Sequence, residues 1–325
     1  LSFVLERGAD DRVDPARAHG INVGLHVACA GLLVLLALRL GLSAWVAAGA
    51  GLLFAVHPVH VSAVAGLVGR AEILVLLFTL AALLAASAAV PWNATRTPRW
   101  ADRPTAAAWV AGLCTLLALG SKETGIATPA ILGALVLLYA GASAGGSRPV
   151  WRALVRPLLP TALATLAYLA ARTAVLGRIL STQEPRLSDN PLVALDGLER
   201  VSTALAVAGR YAILLLWPAR LSADYSGNVV RAESTPLAPL AILGVVFLAA
   251  MVAIAVPALR RRLRLPDGEV GGSASSFAAA MFLLPYLVVG NLVVLVGVVL
   301  AERLVYVPSA GVCLLLAMAI AGAVR

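Results

Sequence analysis

The chain has 325 residues, 61% of them hydrophobic and 13% charged, with a mean hydropathy of +0.94. A soluble domain carries about 45–50% apolar and about 25% charged residues, so this composition excludes a water-soluble globule. The formal net charge of +9 does not signal nucleic acid, because the arginines sit in short loops between apolar runs, where the positive-inside rule accounts for them.

Apolar runs of about 18 residues or more recur along the chain, the pattern of a polytopic, all-α membrane protein. The ten-residue alternating segments of an outer-membrane barrel are absent. In chain order the spans fall near 20–40, 43–57, 72–90, 104–120, 123–141, 154–176, 237–259, 276–300 and 304–323. Residues 198–218 are also apolar but carry Arg200 and Arg210, and read as an interfacial or re-entrant helix. The total is a bundle of about nine or ten transmembrane helices by length. The three cysteines, Cys29, Cys114 and Cys313, lie inside apolar runs and read as buried thiols.

Loops 92–103 (Arg96, Arg99, Arg103), 145–156 (Arg148, Arg152, Arg156) and 260–264 (Arg260, Arg261, Arg262, Arg264) are expected on the cytoplasmic side. The remaining polar clusters then gather at the opposite face. A transporter places its ionisable groups near the midplane, so this arrangement points to a site at the membrane rim. Asp10 and Asp11 belong to a charged stretch that reads as a solvated loop. The chain starts at Leu1 and stops at Arg325 after an apolar run, and is expected to be a fragment.

Ionisable groups at membrane depth mark sites because hydrocarbon cannot solvate them. His19, Asn22 and His26 share one helical face, suited to interhelical hydrogen bonding or to lining a cavity. In His57-Pro58-Val59-His60 the proline breaks the helix between two imidazoles. The imidazoles either contact a sugar or phosphate or finish the helix; no nearby cysteine or carboxylate completes a metal set. Arg70 and Glu72 form an ion pair or, alternatively, Arg70 offers its donor fork to a lipid phosphate. Ser121-Lys122-Glu123-Thr124-Gly125 contains the chain's single lysine at a helix N-terminus, where ammonium and helix dipole both favour a phosphate. Asp224-Tyr225-Ser226 suits a sugar or an Asx turn. Glu302-Arg303-x-x-Tyr306-x-Pro308-Ser309 opens the last span, with Arg303 as a phosphate ligand or an interfacial anchor.

Together the blocks His19-x-x-Asn22-x-x-x-His26, His57-Pro58-x-His60 through Gly69-Arg70-Ala71-Glu72, Ser121-Lys122-Glu123-x-Gly125, Asp189-Asn190-Pro191, Asp224-Tyr225-Ser226 and Ala301-Glu302-Arg303-x-x-Tyr306-x-Pro308-Ser309 resemble, in this order, the transmembrane and tetratricopeptide-repeat family of protein O-mannosyltransferases, including bacterial relatives. The resemblance implies a GT-C glycosyltransferase fold and transfer of mannose from a polyprenyl-phosphate-linked donor to protein Ser or Thr hydroxyls on the lumenal or extracytoplasmic side. It implies a bacterial inner membrane, or the endoplasmic reticulum membrane in a eukaryote. The implied partners are that donor, a protein acceptor and membrane lipids, with no nucleic acid, no metal and no cofactor. Arg70, Lys122 and Arg303 become candidate donor-phosphate ligands; His57, His60, Glu72, Glu123, Asp224, Glu302 and His26 line the site.

Residues 1–325 then form one GT-C-type domain, incomplete at both ends. A first helix and an outward loop bearing the acidic base are expected before residue 1, and a last helix and repeats after residue 325, so the fragment is expected to be inactive alone. Val61 and Ser62 stand where many members have threonine and glutamate, and Asp224-Tyr225 where a tryptophan follows the aspartate. The competing functions are another GT-C transfer, with a different sugar or a glycolipid acceptor, a flippase or transporter for a lipid-linked sugar, and a non-catalytic anchor.

Overall fold

The structure, a computed structural model, describes residues 14–89, 104–139, 150–177, 185–225, 230–264 and 273–324, with side chains omitted at 150–154 and 262–264. The loop arginines Arg96, Arg99, Arg103 and Arg148, the Asp10-Asp11 pair and Ser226 lie outside the described residues. Helices follow in the order α1 (Pro15–Arg39), α2 (Ala44–Val56), the short α3 (Val61–Ala65), α4 (Arg70–Ala89), α5 (Pro104–Ser121), α6 (Ala127–Tyr139), α7 (Val150–Leu176), α8 (Gly197–Leu216), α9 (Pro239–Arg264), α10 (Ala274–Val289) and α11 (Tyr306–Ala323). No strand occurs among the described residues.

Local chemistry sets the ends. Asp14 accepts from the Ala16 amide while Pro15 occupies the first turn, where its missing N–H costs nothing. Arg39 closes α1, and its Nε donates to Ser87 Oγ at the far end of α4. Ser43 caps α2 through the Val46 amide.

Five helical stretches are long and apolar enough to cross a bilayer: Pro15–Arg39, Leu67–Ala89, Val155–Leu176, Pro239–Arg261 and Glu302–Ala323. The pair Ala44–Val56 and Pro58–Ala65, bent by 48°, makes a sixth. Thr105–Ser121, Glu123–Tyr139 and Ala274–Val289 are shorter apolar helices. The protein is therefore an all-α integral membrane protein. Within the candidate spans, 67% of the apolar window is buried in Leu67–Ala89 and Glu302–Ala323, against 11% in Val155–Leu176 and 22% in Pro239–Arg261. So α4 and α11 are central, while α7 and α9 present most of their apolar surface to lipid.

One apolar core joins α1, α2, α4, α6 and α10 to α11, and a second joins α8, α9 and α10 to the other side of α11. The span expected at 276–300 is corrected. The helix stops at Val289, and residues 290–301 are irregular. Asn291 turns the chain with φ 57°. Non-helical backbone survives at membrane depth only when protein satisfies its polar groups. Asn291 does so: its Nδ2 donates to the Val298 and Val299 carbonyls, and its Oδ1 accepts from the Val296 amide and Asn190 Nδ2.

Helix α8 is fastened near both ends. It starts three residues after the turn Pro191–Ala194, which Asn190 fastens to the Val296 carbonyl. It finishes with the Leu215 carbonyl accepting from His57. Against α9 it packs backbone to backbone, since a Cβ added at Gly209 would collide with the Leu240 carbonyl and one at Gly244 with the Leu205 carbonyl. Gly244→Ala is expected to lower stability by about 1–3 kcal/mol, the usual cost of overpacking. The check is the thermal midpoint of the detergent-solubilised protein.

Candidate functional site

The site begins where α2 ends. Pro58 has no amide hydrogen for the Phe54 carbonyl, so the helix cannot continue. His60 Nδ1 donates to that carbonyl instead, at 2.8 Å. The Val59 amide, which would have served Ala55, turns to His57 Nδ1 at 3.2 Å. His26 Nε2 then donates to the Ala55 carbonyl at 3.1 Å. A carbonyl only accepts, so His60 Nδ1 and His26 Nε2 each carry a hydrogen, whereas His57 Nδ1 accepts. The second nitrogens are engaged as well: His26 Nδ1 accepts from the Tyr306 hydroxyl (2.7 Å), His60 Nε2 meets Ser309 Oγ (2.8 Å), and His57 Nε2 donates to the Leu215 carbonyl (3.0 Å).

His26, His57 and His60, expected to line a sugar site, thus complete the broken end of α2. With His19 they border a cavity of about 270 Å³ of their own. Both ring nitrogens of each are already bonded, which leaves these three rings little hydrogen-bonding capacity for a sugar.

The expected cations separate. Arg70 is 1% exposed and turned toward α1; its Nε donates to Asn22 Oδ1 at 2.6 Å and its Nη2 to the Ala18 carbonyl at 2.9 Å. Asn22 in turn donates to the Val64 and Gly66 carbonyls, so the arginine buttresses the turn before α4.

Lys122 Nζ donates to Glu72 Oε1 at 2.6 Å, and Thr124 Oγ1 donates to Glu72 Oε2 at 3.0 Å. Glu72 is 1% exposed, so neutralising it is a requirement of burial. Gly125 makes the turn possible, because a Cβ there would collide with the Ala118 carbonyl. Glu123 faces the other way and pairs with Arg172 of α7 at 3.3 Å.

Lys122→Met is expected to destabilise by less than the about 3–5 kcal/mol of a fully buried broken pair, because the lysine side chain is 27% exposed. Adding Glu72→Gln is expected to restore most of the loss, measured as a thermal double-mutant cycle.

Arg303 lies elsewhere. A polar cavity of about 130 Å³ is lined by Asp189, Asp224, Tyr225, Glu302 and Arg303 among others. It adjoins an apolar cavity of about 520 Å³ whose walls include Val61, Ala65, Leu67, Val68 and Leu221. The two share Ser62, Ser222, Ala223, Glu302 and Arg303, so together they make one cleft with a polar and an apolar end. Asp224, Glu302 and Arg303 are the expected site residues brought together there. Arg70, Lys122, Glu72 and Glu123 line neither part.

Glu302 is occupied: its Oε1 accepts from the Ser222 amide and the Tyr225 hydroxyl, both at 2.8 Å. Burial, and then the Glu302 carboxylate, push the Tyr225 phenol up to about 12, which keeps it a donor. Arg303 is half-buried and has no hydrogen-bond or ion-pair partner among the described residues, so its fork faces the cleft unspent.

Sequence reasoning did not assign Asp189, Tyr211 or Ser222 to the site. The Asp189-Asn190-Pro191 block was the available signal for the first, since its Asn190 anchors the 290–301 segment and the Asp189 carbonyl accepts from the Val299 amide. Among the described residues no group of three His, Cys, Asp or Glu side chains is placed to hold a metal ion.

The chain is similar to Protein O-mannosyl-transferase Tmtc3 of Drosophila melanogaster, 30% identical over 82% of this chain and 31% of that protein. It is 28% identical to TMTC3 of Mus musculus over 93% of this chain and 33% of the relative. With TMTC2 of Homo sapiens it shares 27% identity over 97% of this chain and 44% of the relative. The chain therefore spans about a third to under half the length of the curated relatives it matches. No family model matches it, and no solved structure does.

Proposed function

The chain belongs to the family of these protein O-mannosyl-transferases, and on that premise we propose that it is the membrane-embedded part of an enzyme transferring mannose from a polyprenyl-phosphate donor to Ser or Thr hydroxyls. In this reaction the bond between the sugar C1 and the phosphate oxygen breaks. A bond from C1 to the acceptor oxygen forms, and the hydroxyl proton passes to a carboxylate.

The observation carrying the reading is the unspent Arg303 fork at the junction of a polar and an apolar cavity. A lipid-linked sugar phosphate has the same two-sided chemistry. Its prenyl chain suits the walls of Val61, Leu67 and Val68, its sugar the polar end with Asp189 and Asp224, and its phosphate the guanidinium between them.

Positive charge at the opposite helix ends, Arg39 of α1 and Arg260 and Arg261 of α9, supports an extracytoplasmic site. The grouping of polar clusters expected at one membrane face favours transfer over transport, which calls for charge near the midplane.

The full-length polypeptide, reconstituted in liposomes with labelled polyprenyl-phosphate mannose and an acceptor peptide, is expected to label the peptide. Label that crosses the bilayer without reaching peptide would establish transport and overturn the transferase reading.

A further inference from the structure

Tyr211 stands behind the cleft rather than in it. It is 0% exposed, on the inner face of α8. Its hydroxyl makes two bonds to one residue: it accepts from the Ala301 amide at 3.1 Å and donates to the Ala301 carbonyl at 3.2 Å. Ala301 is the residue from which the turn Glu302–Val305 springs, and it lines the polar cavity. Both neighbours that matter follow it directly. Glu302 holds the Ser222–Tyr225 wall, and Arg303 carries the unspent fork.

No side chain of the turn caps its start, so the Tyr211 hydroxyl holds the Ala301 peptide while Glu302 ties the turn to the Ser222–Tyr225 wall. From this geometry we infer that Tyr211 is the positioning residue that sets the angle of Arg303 toward the donor phosphate, acting through the Ala301 peptide. The inference rests on the transferase reading above and names the device that aims its cation. A guanidinium needs its fork aligned to bond two phosphate oxygens at once, and a tilt of the turn forfeits one of them. The hydroxyl touches no substrate; its work is orientation.

Tyr286 supplies a control within the same aromatic pair. Its ring meets that of Tyr211 edge-on with centroids 5.9 Å apart, and its buried hydroxyl has no hydrogen-bond partner among the described residues. Tyr211→Phe and Tyr286→Phe each delete one oxygen from this pair, and only the first loses contact with the cleft. Both variants of the full-length protein are compared with the wild type in liposomes for kcat, for KM of polyprenyl-phosphate mannose and of acceptor peptide, and for thermal midpoint.

Tyr211→Phe is expected to lose roughly tenfold in kcat/KM for the donor, the worth of one charge-assisted bond, with acceptor KM unchanged. Tyr286→Phe is expected to match the wild type. Equal donor kinetics in the two variants, or a Tyr211→Phe loss that disappears when rates are normalised to folded protein, overturns the inference while leaving the transferase reading intact. A wild-type protein that transfers no mannose overturns both.

Discussion

Arg303→Ala is expected to lower kcat for mannose transfer by about 10²–10³-fold, the usual effect of removing one preorganised group that stabilises developing negative charge. In the proposed reaction the leaving group is a lipid phosphate, whose charge grows as the C1–O bond breaks. Arg303 is half-buried in the cleft with no partner of its own among the described residues, so it pays no internal bond to reach a ligand. Its removal is expected to leave the fold in place, because nothing described depends on its donors. The measurement is single-turnover transfer from labelled donor, with Arg303→Lys beside it. Lysine keeps the charge but not the bidentate fork, and is expected to fall between the two. Full activity in Arg303→Ala would remove the phosphate from this cleft.

Arg70→Ala is expected to act on a different quantity. The guanidinium is buried against α1, held by Asn22 and the Ala18 carbonyl. Cutting it back strips a donor from buried acceptors in a low-dielectric setting, a loss of about 3–5 kcal/mol. The expected result is a large fall in thermal midpoint and in yield of folded protein, with donor KM unchanged in the molecules that fold. A stable Arg70→Ala protein with a raised donor KM would return this residue to phosphate binding. Asn22→Ala, which removes the partner and keeps the cation, is expected to resemble Arg70→Ala.

The helices were legible in the sequence because crossing hydrocarbon imposes length and composition on each segment separately. The interhelical use of Asn22 and His26 was also legible from their shared helical face, and both do bond across to other segments. The bonding of the cations was not, because charge type does not tell which buried group a side chain meets. Lys122 is matched to Glu72, 50 positions away, and Arg70 to Asn22, 48 positions away. Residues 290–301 misled for a related reason. Their valines and leucines read as a continuing span, whereas the polar accounting of Gly290-Asn291 decides the backbone, and its partner Asn190 lies 101 positions upstream. Tyr211 gave no signal at all, since an aromatic in an apolar run is ordinary until its oxygen is seen on Ala301.

The broken end of α2 also bears on biosynthesis. Phe54 and Ala55 find their imidazoles in the turn after α2 and in α1, so that part can close once the first 60 residues are made. His57 must wait for Leu215, 158 positions later, and the far nitrogen of His60 for Ser309, 249 positions later. In a nascent chain these ring nitrogens therefore stay unmatched until α8 and α11 have been made. The late arrivals, α8 and α11, act as clasps that lock the earliest helices into their mature arrangement.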